Sequence, residues 1–177
     1  MSWSADGAVR AGTVENPYRP LTHSARGLNL ARMALNILKL CVGCDSVEDL
    51  EEWIGFRLEE RRRAGEPAEH WHTTRMVPTR GEEVTDGGSL YWVIKGSVQC
   101  RQRITEIRPF IDGEGIGRCH LVLDPQVVRT DWQPRRAFQG WRYLKTSDAP
   151  ADLGKGKAGV IEMPPKLRRE LAELGLL

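Results

Sequence analysis

No apolar run in the 177-residue chain approaches the roughly 18–20 residues that a membrane-spanning helix requires. The first residues show neither the cationic n-region nor the apolar h-region of a secretory signal. A cytoplasmic protein with no membrane partner is therefore the expectation. Strong net charge is missing too. The formal balance is +2, so any affinity for nucleic acid must come from where charges sit, not from their sum. Cysteine is sparse. In a reducing compartment Cys41, Cys44, Cys100 and Cys119 read as free thiols or ligands rather than as a disulfide framework. Catalytic signatures are absent: there is no G-x-S-x-G, no H-E-x-x-H and no Walker A sequence. The carboxylates concentrate in Asp45–Glu60 beside their own arginines, which is the pattern of a solvated helix face. Nothing nominates a general acid and base, and the reading leans away from an enzyme.

What is present suits one α+β domain. Hydrophobic residues make up 40% of the chain, enough for one core with polar extensions. Residues 1–32 are rich in Gly, Ser, Ala, Arg and Pro, lack any period, and read as a disordered N-terminal extension. Residues 33–153 read as the folded domain. "LNILKLCVG" is apolar on both faces apart from Asn36 and Lys39, as in a doubly buried strand. "CDSVEDLEEWIGFRLEERRR" then reads as a helix. Ser46 and Asp49 form a capping-box signal, acids crowd the first turns and Arg61, Arg62 and Arg63 the last. From Thr73 the pattern turns to strands. "TTRMV" stops at Pro78, and "GGSLYWVIKG" meets "SVQCRQRITEI" across Lys95-Gly96-Ser97, a short hairpin signal. Val98, Cys100, Gln102 and Ile104 are expected on one face of that second strand. "RCHLVLDPQVVRT" is a further strand, bent or ended at Asp124-Pro125. The expectation is a small, curled, mostly antiparallel sheet or barrel with one strong helix after the first strand. Residues 146–160 read as linker, with the domain edge at Leu153. Residues 154–177 hold linker and a short C-terminal amphipathic helix, whose Leu167, Leu171 and Leu174 share a face for docking or for a protein partner through residues 164–177.

Two stretches carry candidate chemistry. Cys41-Val42-Gly43-Cys44 lies where a strand hands over to a helix, and His70-x-His72 would point two imidazoles to one side if it lies on a strand. These four residues are the candidate metal or thiol site. No cofactor is otherwise implied, and zinc is a metal these ligand types suit. "DGEGIG" (Asp112–Gly117) opens a strand rather than a helix and reads as a hairpin loop, not as a phosphate cradle.

The second stretch is "TDWQPRRAFQGWRYLK". Residues 129–145 hold five cations against one acid, while 45–66 hold eight acids against four cations. Such segregation gives a domain a basic side at low net charge. Arginine forks grip phosphate, and aromatic faces stack on bases. The candidate nucleic-acid-binding set is Arg75, Arg80, Arg101, Arg103, Arg135, Arg136, Trp141, Arg142 and Tyr143, with Trp92 as a further stacking ring. The leading expectation is a module that binds RNA or a nucleotide-like ligand. The alternatives are the Cys41/Cys44/His70/His72 protein and an interaction adaptor.

"LNILKLCVGCDSVEDLEEW", "HWHTTRMVPTRGEEVTDGGSLYWVIKG", "QCRQRITEIRPF", "GRCHLVLDP" and "WQPRRAFQGWRYL" together resemble DUF1489, an uncharacterised family of short alphaproteobacterial proteins. The resemblance spans about residues 33–153 and implies a bacterial cytosolic protein of unknown function, with residues 1–32 as an add-on. At the level of fold, "TTRMVPTRGEEVTDGGSLYWVIKGSVQCRQRITEI" also resembles the start of a PUA-like or ASCH-like barrel. That resemblance implies RNA, or small nucleic-acid pieces, in a basic cleft.

Overall fold

The computed structural model describes residues 34–154, 164, 166–167, 170–171 and 174–176. The expected extension over residues 1–32 lies outside the described residues. Of the expected closing helix, Lys166, Leu167, Glu170 and Leu171 are helical, and Leu167 and Leu174 are exposed.

Seven strands form one mixed sheet, and its order is best followed from the chain. β1 (Leu35–Leu40) leads into α1 (Val47–Arg63), then β2 (His70–Thr74) and the short α2 (Gly81–Thr85). β3 (Ser89–Ile94), β4 (Ser97–Ile111), β5 (Gly117–Leu123), β6 (Val128–Pro134) and β7 (Trp141–Lys145) follow. The hydrogen-bonded order is β2-β5-β4-β3-β1-β7, with β6 on the first half of β4. β1 and β3 run parallel, because α1, β2 and α2 intervene between them, and the other pairs are antiparallel. The sheet is open, with β2 and β7 at the two ends of its path.

Local chemistry explains the best-defined elements. The Ser46 hydroxyl accepts from Asp49 N at 3.0 Å, and the Asp49 carboxylate accepts from Ser46 N at 3.1 Å, so the capping box is complete. Such a cap contributes about 1 kcal/mol. Lys95 and Gly96 both take positive φ, 48° and 82°, as a two-residue hairpin between right-twisted strands requires. In the β4–β5 loop the Asp112 carboxylate accepts from Glu114 N and Ile116 N, making a hairpin tip and not an anion cradle.

β4 is the long strand on which the sheet bends. Its first part pairs with β3 and β6, its second with β5, and the register shifts between Ile104 and Glu106. The bend carries β5 and β2 back over the face of β3, so that His72 meets Trp92 edge-on with ring centroids 5.2 Å apart. Inside the curl lies the main core. Val47, Leu50 and Ile54 of α1 and Val84 of α2 pack on Leu35, Ile37, Leu90, Trp92, Ile94, Cys100, Ile104, Leu121 and Leu123. Each fully buried Leu or Ile contributes about 1.5–3 kcal/mol. A smaller cluster of Leu38, Tyr91, Val93, Val98 and Leu144 lies on the other face, with Phe138 and Ala149 against it.

The expected alternation of β4 needs one correction. A second register shift, between Val98 and Cys100, makes Gln99 a bulge residue. Val98 therefore joins the outer cluster while Cys100 and Ile104 join the inner one. Gln99 settles its own amide by donating to Ile94 O at 2.9 Å. Residues 146–153 are also not a free linker. Asp131 N donates to Ala151 O, Leu153 N donates to Arg129 O, and the Asp152 carboxylate holds Arg101. β2 starts at His70, earlier than Thr73, because His70–Thr74 has β5 to pair with.

Candidate functional site

The two expected sites fare differently when the side chains are placed. Trp141 and Tyr143 of β7 point inward to the main core, and their rings meet at 5.0 Å. Trp141 Nε1 donates to Met76 O, and Tyr143 Oη accepts from Arg80 N at 3.0 Å. Arg142, between them, points to the opposite face and lies over Phe138. The period of two that makes the stretch a strand thus separates its arginine from its aromatics.

The other arginines are mostly engaged. Arg80 makes two hydrogen bonds to Glu83, and Arg101 grips Asp152 with two hydrogen bonds of 2.6 Å while also donating to Ser89 Oγ. Arg135 donates to Gln133 Oε1 and Asp148 O. Arg129 reaches Glu48 at 2.9 Å and Glu51 at 3.1 Å, which brings the acidic helix and the basic segment into contact instead of leaving them segregated. Arg75, Arg103, Arg136 and Arg142 are exposed. Trp92 is no stacking platform. It is 3% exposed, and its Nε1 donates to Gln102 Oε1 at 2.9 Å.

Cys41, Cys44, His70 and His72, by contrast, all line one cavity of about 270 Å³. Its other walls are Lys39, Leu40, Val42, Gly43, Leu50, Trp53 and Trp92. The curl of the sheet is what brings them together, because β2 lies four places from β1 along the sheet. β1 ends at the cavity and supplies Lys39, with Cys41 just beyond its last residue. The loop before the α1 cap supplies Cys44, α1 supplies Leu50 and Trp53, and β2 supplies both histidines. Register places Lys39 opposite Trp92 on one neighbouring strand and Trp141 on the other.

The electrostatics of the cavity follow from burial. The pKa values of His70 and His72 are both pushed down to about 4. For His70 burial dominates, a long side-chain hydrogen-bonding contact with Gln102 opposes it, and the charges of Arg57 and Arg61 add to the lowering. For His72 burial is followed by the Lys39 charge. Both rings are neutral at pH 7. Their Nε2 atoms are buried and, among the described residues, have no hydrogen-bond partner of normal geometry. Burial also raises the Cys41 thiol well above its ordinary value, reinforced by a hydrogen bond with Cys44, so Cys41 is a thiol rather than a thiolate. Lys39 is lowered by burial, offset in part by Cys41.

The arrangement does not gather ligands around a point. Among the described residues no three His, Cys, Asp or Glu side chains are placed to hold a metal ion. The cavity is instead a mostly apolar, ring-walled chamber with two neutral histidines, two cysteines and one lysine among its lining residues. Sequence reasoning grouped the four Cys and His residues but missed Lys39, Trp53 and the inward role of Trp92. The available signal was Lys39 itself, one of only two polar residues in a strand otherwise apolar on both faces.

The fold and cavity define a small α+β domain with a partly enclosed pocket. The chain belongs to the family described as "Protein of unknown function (DUF1489)", whose model matches residues 37–177. Comparisons with curated proteins and with solved structures gave no match. No helix among the described residues is long and apolar enough to cross a membrane.

Proposed function

We propose that the protein is a small-molecule-binding module whose site is the cavity of Lys39, Cys41, Cys44, His70, His72 and Trp92. One observation carries this reading: two neutral imidazoles on one strand line one cavity, and among the described residues neither buried Nε2 has a hydrogen-bond partner of normal geometry. A buried polar atom left unpaired costs about 1–3 kcal/mol. Retaining two of them in a mostly apolar chamber makes sense if an occupant completes their hydrogen bonds. Native mass spectrometry of protein purified without added ligand or metal tests this. A co-purifying mass that is lost in His70→Phe/His72→Phe supports the reading. A bare chain in both, with the double variant melting well below wild type, would sink it. A bound zinc ion would redirect it to the metal alternative.

A second reading keeps RNA or a nucleotide-like ligand as partner. It is favoured by Arg75, Arg103, Arg136 and Arg142, which are exposed and have no carboxylate partner among the described residues. The fold-level likeness to PUA-like and ASCH-like domains, and an alphaproteobacterial origin, belong to this reading. It fails if Arg136→Glu with Arg142→Glu leaves RNA retention at low salt unchanged, since phosphate-driven binding must weaken when cations are reversed.

A further inference from the structure

Among the described residues the cavity is lined by no aspartate and no glutamate. Its single formal charge is the Lys39 ammonium, which is half-buried and faces no carboxylate among the described residues. The neighbouring groups cannot serve as its counter-ion. Cys41 is held in its protonated form by burial, and His72 is neutral and sits close enough to feel the Lys39 charge. A half-buried cation with no acid beside it is free to pair with an anion from outside. The walls say more. Trp53 meets His70 edge-on at 5.7 Å, and Trp92 meets His72 edge-on at 5.2 Å. Ring walls of this kind suit a flat apolar body. The volume of about 270 Å³ suits one or two fused rings.

We propose that the occupant is a small planar carboxylate, with its ring system in the chamber beside Trp92 and its anionic end on Lys39. The His70 and His72 rings wall the chamber, and a turn of either ring offers its buried Nε2 to a polar atom on the ligand. A phosphate monoester fits less well, because it carries close to two charges at pH 7 and one ammonium in an apolar chamber leaves the second uncompensated. This assignment rests on the cavity being the site, and the test separates the two.

Nicotinate and indole-3-carboxylate, with nicotinamide and indole-3-carboxamide as neutral twins, are titrated calorimetrically into wild type, Lys39→Met, Lys39→Arg and His72→Phe. In wild type each acid binds at least roughly tenfold more tightly than its amide, a difference of about 1.4 kcal/mol. Lys39→Met removes that preference, Lys39→Arg keeps it, and His72→Phe weakens acid and amide alike. Amides that bind as tightly as acids, or acids indifferent to Lys39→Met, overturn the carboxylate assignment and leave the cavity standing. Acid binding that needs Lys39 but ignores His72→Phe places the ligand outside the chamber and overturns the cavity reading. No saturable binding of either acid to wild type overturns the assignment outright.

Discussion

The cavity and the basic stretch around β7 both concentrate groups that bind ligands elsewhere, yet they treat those groups in opposite ways. Around β7 the polar atoms are mostly spoken for. Arg80 has Glu83, Arg101 has Asp152, Arg129 has Glu48 and Glu51, and the Trp141 and Tyr143 polar atoms are bonded to the 76–80 segment. Among the described residues, the Nε2 atoms of the two cavity histidines have no hydrogen-bond partner of normal geometry and the ammonium has no acid. Satisfied polar groups hold a fold together. Unsatisfied ones under a roof of apolar side chains point to something that is bound. An arginine-rich, aromatic-rich sequence is therefore a weaker pointer than two histidines that each keep an unpaired buried nitrogen.

The largest way to break this comparison strikes the frame beneath both regions. A Cβ on Gly88 would stand 2.2 Å from Leu35 O and 2.3 Å from Val84 O, both backbone atoms that cannot step aside. Gly88→Ala is expected to cost more than about 4 kcal/mol or to prevent folding, read by urea denaturation, and with it both regions are lost.

Next comes acid. The folded pKa values of His70 and His72, about 4, lie below the unfolded value of 6.5. Between these values the unfolded chain binds protons that the folded chain refuses. Stability therefore falls as pH drops from about 6.5 to about 4, and is level in these two groups above and below that window. A difference of one pKa unit between the folded and unfolded chain is worth roughly 1.4 kcal/mol, so the loss is on the order of a few kcal/mol. Replacing both rings in His70→Phe/His72→Phe flattens that slope in pH-dependent melts. An unchanged slope would mean that the rings are not held neutral by the cavity.

Arg101→Ala probes the other region. The Arg101–Asp152 pair is partly exposed, so its removal costs about 1 kcal/mol and releases the 149–153 segment from the sheet, seen as faster amide exchange at Asp131 and Leu153. No loss of protection there would remove Arg101 from this structural role. Smallest of all, Arg136→Glu with Arg142→Glu shifts stability by no more than about 0.5 kcal/mol. A larger loss would show that these exposed arginines are also partnered.

How much of this was legible in the residues differs by element. The capping box at Ser46 and Asp49, the Lys95-Gly96 turn and the strand ending at Asp124-Pro125 are local signals, and the structure contains each. The parallel pairing of β1 with β3 was not legible, because it depends on contacts about 50 residues apart in sequence, such as Leu38 with Tyr91. β7 was masked by its own composition: Arg142 between Trp141 and Tyr143 reads as a mixed surface until strand alternation sorts the three. The bulge at Gln99 left no mark, since Val98 and Cys100 suit either face. For the site, the residue types Cys41, Cys44, His70 and His72 could be picked out and grouped as one candidate. That they share a chamber follows from the bend at Ile104–Glu106, which no pattern in β4 announces.

The most direct test of the central claim is a pair of melting curves. Wild type and His70→Phe/His72→Phe are melted at pH 7 with and without the small-molecule fraction of a cell extract. The account predicts that the bare variant is at least as stable as bare wild type, because two unpaired buried nitrogens are gone, and that only wild type is stabilised by the extract. A bare variant that melts well below wild type, with neither protein shifted by the extract, would show that the histidines are core residues and that the cavity holds nothing.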